Sequence, residues 1–489
     1  MTFKEYLENL KGKKAAVAGA GISNTPLIEA LVSAGINTLV CDKRARDEMG
    51  EAADRFERLG AKLRLGPGYL DDLVADVVFR TPGIMPSNPG LMAAVGRGAA
   101  LTSEMEAFFE VCPCKIIGVT GSDGKTTTTS IIAEILKLEC EFQNEGRQPS
   151  SGMQPSSGMQ LNSDESRTVH IGGNIGTPLL TRADEMGPED IAVLELSSFQ
   201  LISMSKCPDI AVVTNVAPNH LDVHADMDEY IGAKRNIFLR QSRTDRAVFN
   251  HDDCFRGGFS GSFPGEAPGE VLLFSSQGRV RDGVYIDGGM IYEAIGGKEE
   301  AIMPVDEISL PGLHNAENFM AAFAAVRGLA SKAAMAGTAR SFRGVPHRIE
   351  LVRTHRGVRY YNDSIASSPS RTIAGLRAFD RKVILIAGGK DKGVGFEGLG
   401  AEIVSHVKTL VLTGMTAEQI HNAVINAPGY SGSPVIIRRD DFKDAVLAAS
   451  AEAHEGDVVL LSPACTSFDR FRNFEERGEV FKRIVNELE

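Results

Sequence analysis

One stretch constrains this chain more than any other: Gly121–Thr129 reads GSDGKTTTT. A β-branched apolar run, Lys115–Val119, leads straight into it, and a helical run, Thr126–Leu138, follows. A glycine-rich loop between a buried strand and a helix N-terminus aims its backbone N–H groups at one spot, which suits a phosphate. Gly121, Ser122, Asp123, Gly124, Lys125, Thr126 and Thr127 are the predicted contacts. Lys125 neutralises the terminal phosphates and the Thr126 hydroxyl ligates Mg2+, so the segment predicts an ATP site. Val119 stands where the pattern G-x-x-x-x-G-K-[ST] has glycine. A plain surface turn does not explain Lys-Thr at a helix start after a buried strand.

Other candidates sit at other strand ends. LELSSFQL, Leu194–Leu201, overlaps the predicted strand Ile191–Leu196. It puts Glu195 beside the phosphate loop, where the carboxylate reaches Mg2+ directly or through water. NVAPNHLDVH, Asn215–His224, follows the predicted strand Ala211–Val216 and brings His220 and Asp222 to the same sheet edge. Open α/β sheets bind ligands there. Lys234, on a predicted helix, reads from the residues alone as an ordinary solvated lysine. Near the N-terminus, Gly19–Asn24 reads GAGISN, with Asp42 at the end of the next strand. This matches a dinucleotide fingerprint except that Asn24 replaces the third glycine. The residues leave two readings open, a nicotinamide coenzyme or a second nucleotide held by its diphosphate.

Strands and helices alternate along the 489 residues, which predicts parallel sheets covered by helices. Three α/β domains are expected, at residues 1–113, 114–344 and 345–489. In the first, Ala15–Ala18, Thr38–Cys41 and Ala75–Phe79 read as strands, and Thr25–Ala34 as a helix. In the second, Ala247–Asn250 and Val271–Phe274 read as strands, Val284–Glu293 as a hairpin around Gly-Gly, and Asn315–Leu329 as a helix. In the third, Val358–Tyr361, Val383–Ala387, Thr409–Thr413, Val435–Ile437 and Val458–Leu461 read as strands, and Gly478–Leu488 as the last helix. Glu141–Arg167, holding two copies of QPSSGM, reads as a mobile loop.

Charge and cysteine usage narrow the class. Lys plus Arg is 52 against 64 Asp plus Glu, a net charge of −12, which argues against a general nucleic-acid binder. The N-terminal segment has no apolar core of a signal peptide, and no apolar run approaches a membrane span. Seven cysteines without a C-x-x-C pair predict reduced thiols rather than a disulfide framework or a structural zinc site. A cytoplasmic, monomeric enzyme or binding protein is the expectation.

Taken together, the motifs resemble the Mur ligase superfamily of ATP-dependent amide-forming enzymes. The resemblance runs in order along nearly the whole chain. It includes GAGISN, RTPGI (Arg80–Ile84), GSDGKTTTT, GGNIG (Gly172–Gly176), LELSSFQL, NHLD (Asn219–Asp222) and LPGLHNAEN (Leu310–Asn318). It continues through GVPHR (Gly344–Arg348), YNDS (Tyr361–Ser364), AGGKDK (Ala387–Lys392) and LSPACTSFDRFRNFEERG (Leu461–Gly478). LELSSFQL and the last block point within the superfamily to the member that attaches D-glutamate. The resemblance implies a Rossmann-like N-terminal domain, a central P-loop ATPase-type domain and a Rossmann-like C-terminal domain. It implies UDP-N-acetylmuramoyl-L-alanine and D-glutamate as substrates, ATP as co-substrate and two Mg2+ sites. GAGISN and Asp42 then become a UDP site, with Ser23, Thr81, Gly83 and Asn174 also on the UDP-sugar. Lys125, Glu195, His220 and Lys234 become the catalytic set. Thr126 and Glu195 hold the nucleotide metal, and His220 with a carbamylated Lys234 holds the second. Asn315, Asn318, Arg348 and Asp363 would contact ATP, and Ser367, Lys392, Ser467 and Phe474 the incoming D-glutamate. Ile365 departs from the family, which often has lysine there; Arg371 is the candidate replacement cation. Rival readings are a sister ligase with another amino acid, a folylpolyglutamate synthase-like enzyme, a non-catalytic nucleotide-binding module and a nicotinamide oxidoreductase. The last leaves GSDGKTTTT unexplained.

Overall fold

The computed structural model describes residues 1–21, 23–146, 167–219, 223–255, 258–310, 312–391 and 395–489. His220, Asp222, Lys392 and both QPSSGM copies lie outside the described residues. The chain divides into two compact units, Met1–Phe342 and Arg343–Glu489.

The first unit holds two sheets. Strands β1 (Lys14–Ala18), β2 (Asn37–Asp42), β3 (Lys62–Leu65), β4 (Val77–Arg80) and β5 (Ala100–Thr102) form an all-parallel sheet in the order β3-β2-β1-β4-β5. The order reverses beside β1, and the loops after β1 and β4 therefore flank one crevice at the carboxyl edge. The second sheet comprises β6 (Lys115–Thr120), β7 (Val169–Gly173), β8 (Ile191–Glu195), β9 (Ile210–Val213), β10 (Arg246–Asn250), β11 (Glu270–Ser275), β12 (Gly283–Asp287), β13 (Met290–Ile295) and β14 (Lys298–Pro304). Its order is β14-β13-β12-β11-β10-β9-β6-β8-β7. Only the β12–β13 and β13–β14 pairs are antiparallel. The predicted Gly-Gly hairpin is present: Gly288 and Gly289 turn between β12 and β13 with φ of 57° and 80°.

Burial explains why β6, β8 and β9 read so clearly from sequence. Both faces of these central strands are covered, so they are continuous apolar runs. On one face Ile117, Val119, Val193 and Val212 pack against Ile131, Ile132 and Ile135 of the helix Lys125–Gly146 and against Phe319 and Phe323 of the helix Leu313–Val326. On the other, Leu194, Ala211 and Val213 share a core with Phe108 and with Leu27 and Ile28 of the first sheet's helix Asn24–Ser33. The buried Val119 is strand interior, which is why no glycine is needed there.

The structure corrects several boundaries. The helix opened by the phosphate loop runs to Gly146, so the first six residues of the predicted loop are helical. β3, β5, β7, β14 and β15 were not anticipated. They are short or flank an edge, and they carry charge or break the apolar pattern, as in KLRL and KEEAIMP.

The second unit is one six-stranded sheet of β15 (Glu350–His355), β16 (Val358–Asn362), β17 (Val383–Ala387), β18 (Val407–Leu412), β19 (Val435–Arg438) and β20 (Val458–Leu461). Its order is β15-β16-β20-β17-β18-β19, and all pairs but β15–β16 are parallel. Separate apolar cores cover its two faces. The last helix, Phe474–Asn486, starts four residues earlier than predicted, because Asn473 caps it by accepting from the Glu476 N–H. All seven cysteines are free thiols. Among the described residues no helix is long and apolar enough to cross a membrane.

Candidate nucleotide and substrate site

The phosphate loop leaves β6 and enters its helix with Gly124 at φ +78°. A Cβ there would lie 2.3 Å from Asn318 Oδ1, so only glycine allows the close approach. Asn318 Oδ1 also accepts from Thr128 Oγ1 at 3.2 Å, and Asn318 Nδ2 donates to Asn315 Oδ1 at 3.5 Å. The two predicted asparagines therefore stand over the loop. Lys125 Nζ donates to the carbonyls of Gly121 and Ser122 at 2.8 and 2.9 Å. Ser122 Oγ contacts Tyr230 Oη at 3.0 Å, and the Asp123 N–H donates to Asn215 Oδ1 at 3.0 Å. Thr127 is half-buried in the helix's first turn.

Thr126 and Glu195 meet. The Thr126 hydroxyl donates to Glu195 Oε2 at 2.6 Å, and Asn174 Nδ2 donates to Glu195 Oε1 at 2.7 Å. All this oxygen chemistry lies at the carboxyl ends of β6, β7 and β8. A buried carboxylate beside a hydroxyl at a helix N-terminus fits a hard divalent cation and a phosphate. Asn174, assigned by resemblance to the UDP-sugar or its approach, places its amide against Glu195.

Lys234 is not the solvated lysine that the bare sequence suggests. It is 1% exposed, on the helix Met227–Arg235. Its Nζ donates to the Gly121 carbonyl at 2.7 Å and lies 4.5 Å from the Tyr230 ring centre. Burial, and then the nearby Lys125 cation, push its pKa well below the ordinary lysine value. Tyr230 went unnoticed in the sequence. Its signal is the i, i+4 spacing to Lys234, which puts both side chains on one helix face.

The first sheet builds a second subsite around β1 and β4. The Thr81 N–H donates to the Ala18 carbonyl at 2.9 Å. A Cβ on Gly19 would lie 2.4 Å from Thr81 Cγ2, so the two loops touch. Asn24 replaces the third fingerprint glycine to a purpose: its Nδ2 donates to the Gly19 carbonyl at 2.8 Å and closes the loop. Ser23 is the residue before the helix Asn24–Ser33 and makes no side-chain cap. Asp42 accepts from the Ala20 N–H at 2.8 Å and from Arg44 at 2.9 Å. Burial acts to raise the Asp42 pKa, but the Arg44 guanidinium and these amides outweigh it and hold the group below the usual range. Gly83 follows in the Thr81–Ile84 turn, closed by the Ile84 N–H on the Thr81 carbonyl.

In the second unit, Asp363 follows the end of β16 and accepts from Ser462 Oγ at 2.7 Å. Burial raises its pKa to about 7, against the pull of Ser462 and the nearby arginines. Arg348 is exposed, between His347 and Ile349, which hold φ of 64° and 45°. Such values in non-glycine residues cost about 1–3 kcal/mol each and collect at working sites. Ser367 is half-buried, with its N–H donating to the Ile365 carbonyl. Arg371 Nη1 also reaches that carbonyl, at 3.4 Å. Ser467 is buried, and its carbonyl accepts from the Arg470 and Phe471 N–H groups. Phe474 stands edge-on to His347 at 6.0 Å, and its carbonyl accepts from Ser364 Oγ at 2.8 Å. Arg477, which sequence reasoning missed, is buried and ties Ser364 to the Cys465 carbonyl. Lone arginines on helices carry no sequence mark of burial.

Asp363 has a measurable consequence. An unfolded carboxyl ionises near pH 4 and the buried one near pH 7, so its contribution is intact below pH 4 and lost as pH rises toward 7. Asp363→Asn is expected to stabilise the second unit at pH 8 by up to about 4 kcal/mol and by less at pH 5. Urea unfolding at the two pH values checks this.

Comparison with known proteins agrees with this geometry. The Mur ligase middle domain model matches residues 119–326, and the Mur ligase glutamate ligase domain model matches 347–465. UDP-N-acetylmuramoylalanine–D-glutamate ligase of Ruminiclostridium cellulolyticum is 45% identical over 492 residues, 99% of each chain. The enzyme of the same name from Clostridium novyi is 46% identical over 489 residues, covering 100% of this chain and 99% of that one. In three dimensions, MurF from Acinetobacter baumannii superposes with a TM-score of 0.53 at 14% identity, over 97% of this chain and 90% of that one, a likeness of fold. On these matches, and with the phosphate loop, Glu195 and Lys234 assembled as described, the chain belongs to the Mur ligase family.

Proposed function

We infer that this protein is an ATP-dependent ligase that joins the L-alanine carboxylate of UDP-N-acetylmuramoyl-L-alanine to the amine of D-glutamate, in peptidoglycan precursor synthesis. Full-length similarity at 45–46% identity to enzymes named for that reaction carries the reading. ATP is cleaved to ADP and phosphate, and the carboxylate is activated as an acyl phosphate before the amine attacks.

Residues 1–113 take the UDP-sugar, 114–344 the nucleotide and 345–489 the amino acid. Ser23, Asp42, Thr81 and Gly83 line the UDP end. The amides of Gly121–Thr127 and the Lys125 ammonium hold the β- and γ-phosphates. Asn315 and Asn318, from the middle domain, and Arg348 and Asp363, from the last, complete the ATP contacts. Ser367, Lys392, Ser467 and Phe474 receive D-glutamate, and Arg371 supplies the cation where Ile365 cannot. Its support is the reach of Arg371 to the Ile365 carbonyl.

Bound Mg2+ would supply charge that offsets the repulsion between the attacking carboxylate and the γ-phosphate. Thr126 and Glu195 would hold one ion. His220 and Lys234 would hold the second, with Lys234 as a carbamate. Carbamylation needs a neutral amine: the nitrogen lone pair adds to CO2 and one proton leaves. Burial of Lys234, and the Lys125 cation beside it, favour the neutral amine over the ammonium. The product is a carboxylate-like ligand in place of a cation. The protein works in the cytoplasm, where its nucleotide substrates are made.

Phosphate release from ATP and Mg2+ with UDP-N-acetylmuramoyl-L-alanine, varying the amino acid, tests the reading. Release is expected only with D-glutamate. Release with a different amino acid keeps the ligase chemistry and reassigns the pocket around Ser467. No release with any acceptor, from folded protein, overturns the enzyme reading.

A further inference from the structure

Arg80 ends β4 and is among the largest side chains fully buried in the fold, at 1% exposure. Its guanidinium meets five acceptors. Nη1 donates to the carbonyls of Thr81, Pro82 and Ile84 at 3.3, 3.3 and 2.7 Å. Nη2 donates to the Phe199 carbonyl at 2.9 Å and to Ser203 Oγ at 2.7 Å. Among the described residues no carboxylate forms an ion pair with it. Burial lowers its pKa to about 10, so it remains a cation at neutral pH.

The two groups of acceptors belong to different machinery. Thr81, Pro82 and Ile84 form the loop that touches Gly19. Three carbonyls of one short loop turned onto one guanidinium dictate that loop's curl. Phe199 and Ser203 lie just past Glu195, in and after the short helix Ser198–Leu201. That helix is itself pinned from the other side. The Ser198 hydroxyl meets His224 Nε2 at 2.9 Å, Phe199 stacks on the His224 ring at 5.2 Å, and His224 Nδ1 meets Glu229 Oε2 at 3.1 Å. Glu229 lies on the helix that carries Lys234.

We propose that Arg80 is a positioning residue for the UDP-sugar: it sets the shape of the Thr81–Ile84 loop and ties it to the segment that follows Glu195. The proposal rests on the assignment of the first sheet to the UDP-sugar. An apolar side chain does not replace it, because the Pro82 and Ile84 carbonyls and Ser203 Oγ would lose the donor that holds the two segments together, at a cost in free energy. The cation also favours an anionic ligand at that loop, since its field is weakly screened in a dry interior, although the Glu106 carboxylate offsets part of it.

The test is steady-state kinetics of wild type, Arg80→Met, Arg80→Lys and Ser203→Ala, with KM measured for all three substrates and melting temperature alongside. Arg80→Met is expected to raise KM for the UDP-sugar by about 10-fold or more while KM for ATP stays within about 2-fold. Arg80→Lys recovers part of the loss, since an ammonium has three donors and reaches fewer of the acceptors. Ser203→Ala, which removes a single bond, shifts the same KM by about 2- to 5-fold and serves if Arg80→Met does not fold. An unchanged UDP-sugar KM in both Arg80→Met and Ser203→Ala overturns the proposal. So does a parallel rise in all three KM values, which marks a merely structural role. A wild type inactive with these substrates overturns the functional reading instead, and Arg80's role falls with it.

Discussion

Lys234→Met is expected to abolish most ligase activity and leave the fold intact. The loss in D-glutamate-dependent phosphate release should reach about 10^3-fold, or roughly 4 kcal/mol of transition-state stabilisation. Lys234 is fully buried yet contributes little to stability. Its Nζ donates to the Gly121 carbonyl, inside a site that already contains the Lys125 cation. Methionine has nearly the same shape, forfeits about 1 kcal/mol for that bond, and removes the cost of burying an amine. The melting temperature should therefore move by only a few degrees. Nuclear magnetic resonance with 13C-labelled CO2 separates the chemical role from a packing role. Wild type should show a carbamate carbon signal that Lys234→Met lacks. Activity within 10-fold of wild type would sink the assignment.

Glu195→Gln should have the second-largest effect, and it should appear as a change in metal dependence. The carboxylate accepts from Thr126 Oγ1 on one oxygen and Asn174 Nδ2 on the other. Glutamine has one oxygen acceptor and an NH2 donor, so its oxygen keeps the Asn174 bond and its NH2 must donate to the Thr126 hydroxyl, which then accepts instead of donating. The ligand charge is lost as well. We expect kcat/KM to fall by about 10^2- to 10^3-fold, and half-maximal activity to need about 10-fold more Mg2+. Titrating phosphate release with Mg2+ checks this. A large fall in activity with unchanged Mg2+ dependence would move Glu195 from metal ligand to loop brace.

Both predictions concern residues that differ in how legible they were. Glu195 was visible because an acid closing an apolar strand is unusual and its position beside a phosphate loop is set by parallel-sheet geometry. Lys234 was not, because sequence around it, YIGAKRNIF, has the mixed polarity of a surface helix. Resemblance to a family selected it, and only packing explains it: the helix Met227–Arg235 turns Tyr230, Ala233 and Lys234 inward. The contact that Asn174 makes was not legible. Its amide reaches Glu195 because β7 and β8 pair with Gly173 opposite Glu195, a register that sequence does not state.

What the sequence determined by itself is local and periodic. The central strands, the phosphate loop, the Gly-Gly hairpin and the alternating α/β order follow from apolar runs, glycine conformations and helix starts, all of which are nearest-neighbour physics. The tertiary structure decided the rest. It set which edge strands join the sheets, since KLRL and KEEAIMP gain their place only by hydrogen bonding to a neighbour already formed. It also decided that Arg80, Lys234 and Asp363 are buried. Burial is a property of what packs on top of a residue, and the segments that cover these three arrive from distant parts of the chain.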